Sequence, residues 1–179
     1  MKKIRLYDES AKSYHIRYMQ IQQTKYQAIV TYLIEGPVLD VGIGTGIGLT
    51  ALLDYSPVIG VDGSVEMLRI TKEQIKDFKP RHESILLVVA SAEMLPFRDH
   101  VFPTVVSITV LQNLTDISQS IQELERAIKA DGILAVTALA KTLSLSEIED
   151  RLHREFAILK RFHNLANEDN GLIIRVLKE

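Results

Sequence analysis

The chain has 179 residues, 46% of them hydrophobic and 25% charged, with a formal net charge of −2 and no cysteine. That mix is of one ordinary globular domain and excludes a disordered tail, a collagen-like fibre and a coiled coil. It also excludes disulfide frameworks, thiolate zinc sites and cysteine nucleophiles, and it supplies no global basic field to attract a phosphate backbone.

At the N-terminus, Met1-Lys2-Lys3 is basic, but Arg5, Asp8, Glu9 and Lys12 break up the adjoining stretch, so no signal-peptide core forms. The longest apolar run, Ile133 to Ala140, falls far short of the ~20 residues that span a bilayer. The expectation is a soluble, cytoplasmic protein with no membrane contact. Ser10–Ile34 reads as a long helix with tyrosines on mixed faces. Short apolar runs then recur at Val38–Val41, Val58–Val61, Ile85–Ala90, Val105–Val110 and Ile133–Leu139. None alternates with polar residues, as expected of strands buried on both faces. Between them lie helix-like stretches, Ile47–Leu53, Ser64–Phe78 and Ile117–Ile128, the last with Ile121, Leu124, Ala127 and Ile128 on one apolar face. Gly132 stands where a left-handed helix cap is expected. Strand, helix, strand repeated in this way specifies a parallel sheet with helices on both faces. Ser144–Arg154 carries a capping-box spacing from Ser144 to Glu147. The segment Ala157–Leu165 is helix or strand, and Gly171–Leu177 is a strand; with no helix between them, the two form a hairpin with one antiparallel strand. We find no linker, so residues 1–179 are read as one domain, with 1–35 as a helical segment laid over it.

The strongest signal is Asp40-Val41-Gly42-Ile43-Gly44-Thr45-Gly46, directly after one predicted strand and before a helix. Gly42, Gly44 and Gly46 let the backbone turn sharply and approach a ligand. Asp62 ends the next strand, 20 residues after Gly42, where a carboxylate accepts hydrogen bonds from both hydroxyls of a ribose. A dinucleotide site uses G-x-G-x-x-G, whereas the spacing here is G-x-G-x-G. Asp40 would repel a pyrophosphate and anchor an ammonium, directly or through water. A ligand with adenosine at one end and an amino acid at the other fits, and S-adenosylmethionine is such a ligand. A nicotinamide-dependent oxidoreductase is disfavoured on the same grounds.

On these residues the chain resembles the class I S-adenosylmethionine-dependent methyltransferases, in particular the branch of ubiquinone and menaquinone biosynthesis enzymes, over nearly its whole length. Asp40 to Gly46 is similar to the family's first motif. Gly60-Val61-Asp62-Gly63-Ser64-Val65-Glu66-Met67 is similar to its second-strand motif, which implies that Asp62 holds the ribose, beside Gly63, and that Met67 packs on the adenine. Ser91, Ala92 and Glu93 match the segment bordering the adenine. Thr109 lies in the stretch Ser107–Asp116, where relatives shape the mouth for the methyl acceptor and touch the cofactor. Tyr7-Asp8, Ala11 and Tyr14 resemble an N-terminal lid motif, with Tyr14 touching the cofactor. Three positions depart from the family: Ser91 replaces an acid at the adenine, His15 an acid of the lid, and Pro103 an acid before the fourth strand. The implied fold is α/β, a Rossmann-like three-layer sandwich whose seven-stranded, mostly parallel sheet has the order 3-2-1-4-5-7-6 with strand 7 antiparallel.

The implied activity is methyl transfer from S-adenosylmethionine, leaving S-adenosylhomocysteine, to a small molecule or to tRNA, rRNA or protein with the help of a small activator protein. The alternative is a non-enzymatic scaffold that kept the fold. An in-line displacement needs alignment above all, and a base only for an acceptor that must lose a proton early. No catalytic constellation is required, and no catalytic residue is assigned. Gln112 or Asn113 is a candidate to orient the acceptor, and His15 is the candidate base. The five histidines show no metal-ligand spacing, so no metal site is expected. Lys72, Lys76, Lys79, Arg81 and His82, and separately Arg151, Arg154, Lys160 and Arg161, read as solvated basic faces.

Overall fold

A computed structural model describes residues 2–78 and 81–177, with the side chains of 2–10, 12, 81 and 82 outside that description. The side chains of Tyr7 and Asp8 in the lid motif, and Lys79 with the side chains of Arg81 and His82 in the first basic cluster, therefore lie outside that description. In chain order the elements are α1 (Lys2–Val30), β1 (Val38–Val41), α2 (Leu49–Leu52), β2 (Val58–Asp62), α3 (Val65–Ile75) and β3 (Ile85–Val89). They continue as β4 (Phe102–Ile108), α4 (Ile117–Ala127), β5 (Ile128–Leu139), α5 (Leu145–Glu149), β6 (Phe156–Leu165) and β7 (Asp169–Val176). The strands form one sheet in the order β3-β2-β1-β4-β5-β7-β6. The first five run parallel, and β7 is antiparallel to both of its neighbours. The expected order and the antiparallel seventh strand are both present. None of the described helices is long and apolar enough to cross a membrane.

Two apolar layers cover the sheet. Leu39, Val41, Ile59 and Val61 pack on one face with Ile121 and Leu124 of α4 and Ile148 of α5. Val38, Val58 and Val106 pack on the other with Tyr26 and Ile29 of α1, Leu49 of α2 and Leu68 of α3. Because side chains alternate across a strand, β1 sends Val38 and Asp40 toward α1 and sends Leu39 and Val41 toward α4. That places a carboxylate among the apolar groups under α1. The helix answers with one buried face, Gln22, Lys25, Tyr26 and Ile29, spaced at three, one and three residues.

The helix starts follow local chemistry. Ser64 caps α3 by accepting from the Met67 N–H at 3.1 Å, and Asp116 caps α4 by accepting from the Gln119 N–H at 2.9 Å. Ser144 and Glu147 form the expected capping box on α5. The ambiguous stretch Ala157–Leu165 is strand, within β6. The first helix is displaced from Ser10–Ile34, beginning earlier and stopping at Val30, where the Tyr32 and Leu33 amides bond back to Ile29 and Val30 in a turn.

Gly132 does not cap a helix. The chain passes straight from α4 into β5 at Ile128, whose φ of −82° and ψ of 142° are extended. The residue in the left-handed region is Asp131, with φ 61°. The reason is a bulge: the β4–β5 register shifts between Phe102 and Thr104. Pro103, between them, has no N–H to give to the ladder. A Cβ on Gly132 would sit 2.9 Å from the Pro103 carbonyl oxygen and 2.7 Å from Ile128 Cγ1. Gly132→Ala should therefore destabilise the fold by about 1–3 kcal/mol through overpacking, read as a lower urea midpoint; an unchanged midpoint would show that the bulge yields freely.

Candidate functional site

A cleft enclosing about 790 Å³ opens at the carboxyl ends of β1, β2 and β4, where the strand order reverses on either side of β1. That is the point at which open parallel sheets receive ligands. Its walls include nine of the twelve expected residues: Gly42 and Gly44, then Asp62, Gly63 and Met67, then Ser91 and Ala92, with Tyr14 and Thr109. Val41, Val61, Ser64, Ala90 and Ile108 also line it, as do Val110, Asn113 and Leu114. A smaller hollow of about 270 Å³ shares Tyr14, Gly42, Gly44 and Ile108 with the cleft and adds Gln22, Tyr26 and Thr45.

Asp62 organises the larger cleft. Its Oδ2 accepts from the Gly44 N–H at 2.9 Å and its Oδ1 from the Ser64 N–H at 2.8 Å. These two bonds fix the carboxylate at the mouth of the cleft, which it lines. Four amides of the glycine loop are spent internally: besides that of Gly44, those of Gly42 and Ile43 both donate to the Val61 carbonyl at 2.7 and 3.0 Å, and Gly46 donates to that of Ile43 at 3.1 Å. A phosphate cradle needs amides aimed at the ligand, and these four are not. Gly44, at φ 58°, is where close approach to the backbone is open: a Cβ there would meet nothing closer than 3.9 Å.

Three expected contacts do not line the cleft. Asp40 is fully buried beneath α1, where the Tyr26 hydroxyl lies 2.9 and 3.1 Å from its two oxygens. Burial pushes its carboxyl up to about 7, against the pull of the Tyr26 hydrogen bond, and burial likewise raises the Tyr26 hydroxyl. Gly46 faces Thr71 and Leu49 instead of the cleft, and the Thr71 hydroxyl donates to the Gly44 carbonyl at 2.7 Å, tying the loop to α3. Glu93 accepts from the Thr115 and Asp116 amides, each at 2.7 Å, and so fixes the segment ahead of α4. His15 hydrogen-bonds the Thr45 hydroxyl at 2.9 Å, and partial burial lowers its pKa from the ordinary histidine value. Gln112 is a strut, donating to the Thr109 carbonyl, while Asn113 faces the cleft.

Tyr26, Lys25 and Asp169 are absent from the sequence-based set. A signal for Tyr26 exists in Gly48, whose Cβ would lie 2.3 Å from the tyrosine ring. A glycine after the loop's last turn marks a close approach, though not the residue that makes it.

The family model of a methyltransferase domain matches residues 39–136 of this chain, from the first strand through the fifth, and this settles the lineage. The chain belongs to the methyltransferase domain family. Its relatives include ubiquinone/menaquinone biosynthesis C-methyltransferases and demethylmenaquinone methyltransferases. An uncharacterized protein of Methanocaldococcus jannaschii is 36% identical over 138 residues, 73% of this chain and 49% of its own length. The ubiquinone/menaquinone biosynthesis C-methyltransferase UbiE of Geotalea uraniireducens is 34% identical over 107 residues, 58% of this chain and 45% of that protein. The crystal structure of the Synechocystis magnesium protoporphyrin IX methyltransferase with bound S-adenosylmethionine superposes with a TM-score of 0.72 at 18% identity, covering 91% of this chain and 82% of that one. At that identity the likeness is one of fold. The chain spans about half the length of the curated relatives it matches.

Asp40 should leave a mark on stability. Between the unfolded carboxyl value near 3.8 and the folded value of about 7, the native state holds a proton that the unfolded chain releases. Folding stability supplied by this group is therefore largest below the lower value and is lost as pH rises through the window. Denaturation midpoints of the wild type, measured from pH 4 to 8, should fall relative to those of Asp40→Asn up to about pH 7 and then run parallel. A constant difference across that range would contradict the assignment.

Proposed function

We propose that this chain transfers a methyl group from S-adenosylmethionine to a small-molecule acceptor, with S-adenosylhomocysteine as product. The observation that carries the reading is Asp62, presented to the cleft at the end of β2 with Met67 beside it and the Gly42, Ile43, Gly44 and Gly46 amides of the glycine loop already spent. A ribose and an adenine suit that end of the cleft, and a diphosphate does not suit the loop. The cofactor would supply an electrophilic methyl carried on a sulfonium.

The chain's own residues then have separable tasks. Asp62 accepts hydrogen bonds from ribose hydroxyls while its other lone pairs hold the Gly44 and Ser64 amides in place. Met67, 2% exposed, offers a soft apolar surface to the base, with Ala92 close by. Ser91 replaces a carboxylate by a hydroxyl, a weaker acceptor for an exocyclic amine. Gln22, the Tyr26 hydroxyl and Thr45, in the smaller hollow, suit an amino-acid head group. Asp40 influences that head group through the Tyr26 hydroxyl. Asn113 presents a neutral amide to the acceptor end, consistent with catalysis by alignment. The intact glycines and Asp62 favour an active transferase over a scaffold. A small activator protein remains an expectation of the family resemblance, to be tested by whether co-expression with one changes yield or activity.

Calorimetric titration with S-adenosylmethionine, S-adenosylhomocysteine and NAD checks the reading. Micromolar binding of the first two, with none of NAD, is expected. Asp62→Ala should weaken S-adenosylhomocysteine by at least about 100-fold, or about 2.7 kcal/mol, in protein shown by its thermal transition to be folded. Unchanged affinity in that variant would overturn the placement of the ribose.

A further inference from the structure

Directly after β4, Thr109 adopts φ 62°, a left-handed conformation that is a genuine outlier for a β-branched residue. Such strain persists only where the surroundings impose it, and it gathers at working sites. Here every polar group of the residue is held. Its N–H points to the Thr137 carbonyl at 3.1 Å and the Thr137 hydroxyl at 3.0 Å. Its carbonyl accepts from Gln112. Its hydroxyl donates to Asp169 Oδ2 at 2.7 Å and accepts from Lys25 Nζ at 2.9 Å.

Lys25 and Asp169 are themselves fully buried and paired at 2.9 Å. The remaining ammonium proton of Lys25 goes to Glu168 at 3.1 Å, and Asp169 also accepts from the Thr137 hydroxyl at 2.6 Å. The network joins α1, the end of β4, β5 and the start of β7 at one cleft residue. A buried ion pair is weak evidence of a contribution to stability, since apolar residues of similar volume often serve as well. Its geometry is more informative: Lys25 spends one bond, and Asp169 another, on a single strained residue.

We propose that Lys25 and Asp169 are positioning residues for methyl transfer, fixing Thr109 so that the wall from Ile108 to Asn113 is aligned with the transferring methyl group. This rests on the cofactor reading above, in which the ligand spans the cleft and the smaller hollow. Tyr14, Gly42, Gly44 and Ile108 line both, so the ligand crosses between these residues, with Thr109 following Ile108 on the β4 side of the crossing. Displacing Thr109 disturbs the methyl side of the ligand and leaves the Asp62 end, on another strand, as it was.

The test compares S-adenosylhomocysteine, which lacks the methyl, with sinefungin, which carries an amine in its place, by calorimetry on the full chain. Lys25→Met leaves a buried carboxylate uncompensated and is expected to lower the melting temperature sharply. The double variant Lys25→Met/Asp169→Asn removes both charges and keeps the volume, so it carries the test if the single variant fails to fold. In the double variant sinefungin should bind at least about 10-fold more weakly, while S-adenosylhomocysteine moves less than about 3-fold. Equal losses for both ligands would reduce the pair to a structural role, and no loss for either would remove the positioning role; both outcomes overturn the proposal. If wild-type protein binds neither ligand, the cofactor reading itself fails, a result distinct from either.

Discussion

The carboxylate of Asp62 is the constraint on which the cleft depends. One oxygen holds the glycine loop through the Gly44 amide, and the other holds the turn into α3 through Ser64. Two segments that would otherwise diverge from the tips of β1 and β2 are thereby fixed at the distance one carboxylate allows. Charge-assisted bonds of this kind are stronger than neutral ones. The same group builds the site and lines it. The Thr71 bond to the Gly44 carbonyl holds the loop from its other side, leaving the glycine backbone little freedom to close over an empty cleft.

The second theme is buried charge under the first helix. Alternation along β1 sends Asp40 into the apolar layer beneath α1, and Tyr26 is the group that meets it. One helical position earlier, Lys25 reaches Asp169 across the sheet's end. Adjacent residues of one helix therefore make separate polar contacts, one under the glycine loop and one at the far wall of the cleft. Apolar packing would hold the helix against the sheet in several nearly equivalent ways. Two directional polar anchors select one, and that choice sets where Tyr14 lies on the cleft.

Much of the fold was legible in the sequence. Runs of Val, Ile and Leu without polar alternation mark parallel strands, since both faces of such strands are covered, and each of the five runs falls on a strand, although β4 starts at Phe102 and stops at Ile108, short of the expected Val110. Ser64 and Ser144 announced helix starts because capping is local chemistry. The glycine spacing with Asp62 at the next strand end marked the cleft, since backbone approach and ribose recognition impose short-range patterns. Illegible were features that depend on a partner far along the chain. Gly132 looked like a cap because a glycine after a helix usually is one, but its role is set by Pro103 on the neighbouring strand. Asp40 looked like a ligand contact because its spacing from the loop is right, yet strand alternation turns it toward Tyr26.

The sequence by itself determined the order of elements, the family and the cofactor end of the cleft, because hydrophobic period, capping and the glycine–acid spacing act over a few residues. Only the tertiary structure decided which polar groups face the ligand and which face one another. Lys25 and Asp169 stand 144 positions apart, and nothing in the neighbourhood of either names its partner. Their meeting at Thr109 comes from the antiparallel insertion of β7 beside β5, which brings the first residue of β7 to the end of the sheet where the cleft opens.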